Sequence, residues 1–238
     1  MLDETDLSEE RRWFYEERAR RGVTNIQKKN INAQYVPSRQ DALSVLLDMI
    51  PPEATVARGD SISLDQIGII PELIKRGKNK IIDPSLRGPD GCMVVTDAHE
   101  RQRMEKEVFS SDIFLTGTNT ITLDGKLVNI DGHGNRVSAM ICGPKKVIII
   151  ASVNKIVKDV DEALQRIRQF TAPMNAKRHY LKHPDREHFA DLPCVRTGRC
   201  TDCNHKWRTC RYTTIIEGSM LGDKGRINVV VVGEELGI

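Results

Sequence analysis

Aromatic residues are scarce. Phe, Trp and Tyr make up 5% of the 238 residues, so a core has to come from Ile, Val and Leu within a hydrophobic share of 39%. No stretch approaches the roughly 20 consecutive apolar residues that span a bilayer. The net charge of +3 is small, and the basic residues are mixed with acidic ones, which argues against nucleic acid as a partner. The opening residues, MLDETDLSEERRW, are acidic and polar, unlike a signal peptide. The G-x-G-x-x-G fingerprint of dinucleotide binding does not occur. These absences lead to the expectation of a cytoplasmic globular chain, long enough for one large domain. In that setting the six cysteines read as metal ligands or buried thiols and not as disulfides.

What is present is concentrated in residues 113–157, IFLTGTNTITLDGKLVNIDGHGNRVSAMICGPKKVIIIASVNKIV. Asp124-Gly125 between two alternating segments predicts a β-hairpin, because glycine tolerates the positive φ such a turn requires. Two short apolar runs, residues 139–142 and 147–151, read as strands buried on both faces. Between them lie Thr118, Asn119, Asn129, Asp131, His133, Asn135 and Arg136, set among glycines. Polar side chains converging on glycine-rich strand ends suggest a ligand surface, while Asn and Asp in such turns also satisfy local backbone groups.

Residues 116–157 match nearly letter for letter the pattern TGTNAIT-DGKLVNID-GNRV-GPKKVI-NKIV of the lactate-utilisation (LUD) domain, which the chain resembles along its whole length. The resemblance implies an α/β fold, a mostly parallel sheet flanked by helices. It is similar to the fold of sugar-phosphate isomerases, glucosamine-phosphate deaminases and CoA transferases. It also implies a role beside partner subunits that oxidise lactate or a similar 2-hydroxy acid.

The rest of the chain fits an α/β order. Residues 7–21 read as a charged helix that Gly22 ends, with Trp13 and Phe14 as a thin apolar face for packing on the domain or for a homo-oligomer contact. Ser38 caps a second helix with Asp41 at the third position, and Pro51 stops it. Residues 55–57 form a strand leading into Gly59-Asp60-Ser61. A helix over 63–76 follows, turning Leu64, Ile67, Leu73 and Ile74 inward. Residues 80–83 suggest a strand, 97–108 a polar helix, and 159–170 an amphipathic helix continued after Pro173. A last strand at 227–232 rejoins the sheet. Strand, helix and strand in alternation argue for a largely parallel sheet in a single domain spanning residues 1–238.

Composition changes over residues 183–212, which are polar and basic and hold Cys194, Cys200, Cys203 and Cys210. Four thiols within seventeen residues match the ligand number of tetrahedral zinc or of a [4Fe–4S] cluster. Structural zinc usually uses two C-x2-4-C knuckles. Only Cys200 and Cys203 form one, so the uneven spacing favours the cluster, with zinc as the alternative. The arginines around the thiols supply N–H donors that offset a cluster's charge. The segment is expected to be a metal- or cluster-binding insertion. Cys92 and Cys142, in apolar sequence surroundings, are expected to be buried thiols.

Carried over from the fold resemblance, the loops after the strands would bind a small carboxylate or phosphorylated ligand. Gly59, Asp60 and Ser61 form one wall, and Gly117, Thr118 and Asn119 another. Asn135 and Arg136 complete it, with Arg136 gripping a carboxylate bidentately, Asp131 placed for proton transfer and Lys155 adding positive charge. One departure stands out. CoA transferases of this fold use a glutamate nucleophile, and no Glu occurs between Ser110 and Lys158. Two functions follow: an iron–sulfur accessory or subunit carrying electrons in 2-hydroxy-acid oxidation, or an isomerase- or transferase-like enzyme whose metal only pins a loop.

Overall fold

The structure, a computed structural model, describes residues 4–238. The chain runs α1 (Ser8–Gln27), β1 (Asn32–Val36), α2 (Arg39–Met49), β2 (Thr55–Arg58), α3 (Ile62–Ile67), α4 (Ile69–Arg76), β3 (Lys80–Ile82), α5 (Ala98–Glu107), β4 (Ile113–Gly117), β5 (Thr120–Thr122), β6 (Leu127–Asp131), α6 (Asn135–Ile141), β7 (Lys146–Ser152), β8 (Ile156–Val157), α7 (Val160–Arg166), α8 (Ala172–Lys182), α9 (Pro193–Thr197), β9 (Tyr212–Ile216) and β10 (Ile227–Val232). Six strands make a wholly parallel sheet in the order β1-β10-β7-β4-β2-β3.

Its central strands are the β-branched runs VIII in β7 and NVVVV in β10, which suit a pleated surface covered on both sides. Alternation sends Phe114, Val147, Ile149, Val229 and Val231 to one face, where Ala19, Val23 and Ile26 of α1 and Val137 and Met140 of α6 cover them. The intervening Leu115, Ile148, Ile150, Val230 and Val232 face α2, α3 and α4. Among the described residues no helix is long and apolar enough to cross a membrane.

The hairpin is present, with β5 antiparallel to β6, but it belongs to a second sheet, β8-β5-β6-β9, that the sequence did not announce. α7 packs on it through Ala163, with Ile167 just beyond. Residues 183–211 therefore connect α8 to β9 in the second sheet, and only afterwards does the chain return to the main sheet at β10. Part of this connection has its own small core, where Phe189 and Leu192 meet Ala176 of α8 and Cys194.

Several expectations need correction. Residues 139–142 end helix α6 and are not a strand. Helical rotation buries Ala139 and Met140 but turns Ile141 and Cys142 outward, so Cys142 is exposed, as is Cys92. α1 runs on through Gly22, which is buried, because it lies close against the core at Ile121. Its packing face is Ala19, Gly22, Val23 and Ile26, while Trp13 and Phe14 stay 65% and 49% exposed. The helix expected over 63–76 breaks at Gly68, which takes a left-handed conformation (φ 78°), and the break leaves Ile74 exposed. Between α7 and α8 the helix widens into a π turn at Ile167–Thr171. Pro173, at the start of α8, has no N–H to continue the regular ladder there.

Candidate functional site

The loops that follow β2, β4 and β7 open at the C-terminal edge of the parallel sheet, the place where open α/β sheets hold ligands, and the loop after β6 of the second sheet joins them. They surround a cavity of about 1220 Å³. Gly59, Asp60, Ser61, Gly117, Thr118, Asn119, Asp131, Asn135, Arg136 and Lys155 all line it. So do residues 206–211 of the cysteine segment, including Cys210. The lining is strongly basic: nine Arg and Lys side chains against four Asp and Glu. A cavity so charged favours an anion.

Arg136 does not have the free fork that a carboxylate clamp needs. Its Nη1 donates to Gly117 O at 3.1 Å and Asn129 Oδ1 at 2.8 Å. Its Nη2 donates to Ile130 O at 3.2 Å and Asn119 Oδ1 at 3.4 Å. Nε faces Asp131 Oδ2 at 3.4 Å. The guanidinium thus ties the ends of β4 and β6 to the start of α6. The bidentate grip expected from the sequence is replaced by this internal crosslink, since every donor already has an acceptor. Asp131 is likewise engaged: Oδ1 accepts from the backbone N–H groups of His133 (3.1 Å) and Gly134 (2.9 Å), shaping the turn into α6. Among the described residues its Oδ2 is buried with no hydrogen bond, and Arg136 faces it at 3.4 Å.

The opposite wall comes from α8, which sequence reasoning overlooked. Arg178 Nη2 donates to Asp60 Oδ2 at 2.8 Å, and His179 Nε2 lies 3.7 Å from the same oxygen. Burial pulls the Asp60 carboxyl up, but Arg178, His179 and Arg58 outweigh it and hold the group below its usual range. Burial, reinforced by Arg178 and Arg186, pushes His179 down to about 3, so it is a neutral imidazole at physiological pH. A readable signal existed. Pro173, Ala176 and His179 form the buried stripe of α8, and a histidine on an apolar stripe next to an arginine marks a partly polar lining. Ile167 and Thr171 of the π turn also reach the cavity.

Lys155 lies in the turn after β7 and is only 5% exposed. Its ammonium nitrogen bonds Ser63 Oγ at 3.0 Å. Among the described residues no carboxylate stands within ion-pair distance of it. Burial, with Arg166 and Arg136 nearby, lowers this amine to about 7.

The four cysteines of the segment are free thiols. All four are half-buried. Burial raises the Cys194 thiol first, and Cys203, Cys210 and Cys200 raise it further, so each is near enough to be felt there. Arg208 stitches the loop together. Its Nε donates to Cys210 O (2.9 Å) and to Cys210 Sγ (3.2 Å), its Nη1 reaches Cys203 O, and its Nη2 bonds Asp202 Oδ1 at 2.9 Å. The Asp202 N–H points at Cys200 Sγ at 3.4 Å. Donors aimed at sulfur suit thiolates that carry charge. Among the described residues no three His, Cys, Asp or Glu side chains are already arranged to hold a metal ion. The donor set fits a cluster or zinc in number and chemistry.

A family model, the LUD domain, matches residues 19–232. A DUF162 family protein from Deinococcus radiodurans has a similar structure, with a TM-score of 0.50 at 15% identity over 92% of this chain and 98% of that one. At that identity the likeness shows the fold alone. eIF2B delta from Chaetomium thermophilum shares less, with a TM-score of 0.34 at 15% identity over 53% of this chain and 50% of that one. Comparison with curated proteins gives no match.

Proposed function

The chain belongs to the LUD domain family, which is associated with lactate utilisation, and from that premise we propose that it is an iron–sulfur accessory or subunit of 2-hydroxy-acid oxidation. In this reading the cavity receives a small carboxylate such as lactate or its oxidised partner. Cys194, Cys200, Cys203 and Cys210 would hold a [4Fe–4S] cluster, which supplies one-electron transfer when bound. The observation that carries the reading is the shared wall: residues 206–211, with Cys210 among them, line the same basic cavity as the strand-end loops.

The chain's own residues have defined tasks. Arg178, held against Asp60, presents positive charge from α8, and Arg186 lies beside it in the lining. The crosslink through Arg136 keeps the loops after β4 and β6 in place, so a ligand meets a preformed surface. Lys155 adds a cationic or neutral amine according to pH. The missing dinucleotide fingerprint assigns hydride and further electron carriers to partner subunits. Protein purified without oxygen should be brown, contain iron and sulfide in cluster ratio and show an iron–sulfur signal by electron paramagnetic resonance on reduction. Colourless protein with stoichiometric zinc would remove the electron-transfer role.

A second reading, an isomerase- or transferase-like enzyme with a purely structural metal, draws on the buried groups around the cavity, Lys155 and Asp131. It is separated from the first by the same metal analysis combined with a screen of phosphorylated and carboxylated metabolites for a rise in Tm.

A further inference from the structure

Lys155 differs from the other well-buried cations of the cavity. Arg58 is paired with Asp65 at 2.8 Å and Asp83 at 3.5 Å, Arg178 with Asp60, and Arg136 with Asp131. A buried charge without such a partner is costly, so burial favours the neutral form of the amine. Lys155 instead has one hydroxyl, Ser63 Oγ at 3.0 Å, and its nearest charged influences, Arg166 and Arg136, are both positive. The backbone at Gly237 closes over the amine so tightly that a Cβ there would lie 2.7 Å from Nζ and 2.6 Å from Ser63 Oγ. Lys155 and Gly237 both line the cavity, so the amine sits in its wall with the Gly237 backbone packed close against it.

We propose that Lys155 is a covalent-catalysis residue that forms an imine with the carbonyl carbon of a small 2-oxo acid bound in the cavity. The proposal rests on the reading of the cavity as a carboxylate site and adds a bond to it. The cationic lining holds the carboxylate, and the carbonyl next to that carboxylate is what distinguishes a 2-oxo acid from a 2-hydroxy acid at an amine. In the step, the lone pair of neutral Nζ attacks C2 while the carbonyl electron pair moves to oxygen, which takes a proton. The resulting carbinolamine loses water as nitrogen loses its proton, leaving C=N. The sum is amine plus carbonyl giving imine plus water, and no oxidant or reductant is required. A lysine set among other positive groups in an enclosed site has the free base available for this attack near neutral pH. Ser63 is a positioning residue that holds Nζ toward the cavity.

The test uses the full chain, pyruvate and sodium cyanoborohydride at neutral pH, followed by peptide mapping, with the Tm of the same protein measured with and without pyruvate. Support is a reduced pyruvate adduct at Lys155, absent when lactate replaces pyruvate and lost in both K155M and K155R. Urea-unfolded protein should lose the selectivity, which controls for a variant that folds poorly. A rise in Tm with no adduct would overturn the imine and leave the carboxylate site standing. Adducts spread over exposed lysines such as Lys158 would also overturn it. Neither a rise in Tm nor an adduct would reject both the imine and the carboxylate site.

Discussion

Two buried cations show how much a residue's role depends on what lies around it. Arg136 and Lys155 were both singled out in the sequence, one among glycines and one just past an apolar strand, and both line the cavity. Their partners were not legible, since strand pairing is what brings Gly117, Asn119 and Asn129 to Arg136, and the sheet order is what brings Ser63 to Lys155. Asn119, Asn129 and Asp131 engage Arg136 fully, whereas Ser63 comes to Lys155 from across the sheet. The difference has a thermodynamic signature. The Lys155 amine titrates at about 7 in the folded protein against 10.5 ordinarily. Between those values the unfolded chain binds a proton that the folded chain does not, so this residue makes stability rise with pH across that window. Below the window the buried charge costs its full amount. Lys155→Met should therefore be more stable than the parent below pH 7 by up to about 5 kcal/mol, the free-energy equivalent of that shift. The advantage should shrink toward the upper end of the window. Urea midpoints measured against pH would check this, and parallel curves for the two proteins would show that Lys155 is not buried as a neutral amine.

Elements were readable where their local chemistry agreed with their packing. The capping box of α2 is complete, with Ser38 Oγ accepting from the Asp41 N–H at 3.1 Å and the Asp41 carboxylate accepting from the Ser38 N–H at 3.2 Å. The β5–β6 turn is where Asp124-Gly125 put it. Helix α6 was misread because an apolar run of four residues has too few positions to tell period 2 from period 3.6. Strand β9 was missed because its sequence, YTTII, is largely exposed and follows a polar loop. One element-level consequence is sharp. Gly125 has φ +86°, and a Cβ there would lie 2.6 Å from the backbone of Asn25 and Ile26, where α1 ends. The hairpin turn is thus wedged against α1, which the sequence pattern did not reveal. Gly125→Ala combines a strained φ with a backbone clash and should cost about 2 kcal/mol or more. A chemical-denaturation midpoint unchanged from the parent would mean the turn and α1 are not packed as described.

At the scale of the whole molecule, a body and a cysteine segment share one cavity but not one core. The sheet cores contain no cysteine, and Cys194 belongs to the separate cluster around Ala176, Phe189 and Leu192. The body's fold therefore follows from its own apolar alternation. The cysteine segment contributes a wall in which burial and the other three thiols raise the Cys194 thiol, and among the described residues no three donor side chains are arranged to hold a metal ion. If those thiols are a ligand set, metal binding is coupled to ordering of that wall, and the binding free energy adds to the stability of the folded chain. The measurement compares the metal-free parent with a variant in which Cys194, Cys200, Cys203 and Cys210 are all serine. Far-ultraviolet circular dichroism should give nearly the same urea transition for both, differing by about 1 kcal/mol, because neither sheet core is altered. Anaerobic reconstitution with iron and sulfide should then raise the transition of the parent alone, and should change the pyruvate-dependent rise in Tm because residues 206–211 face the cavity. A parent transition that does not move on reconstitution would show that the four thiols are not a ligand set.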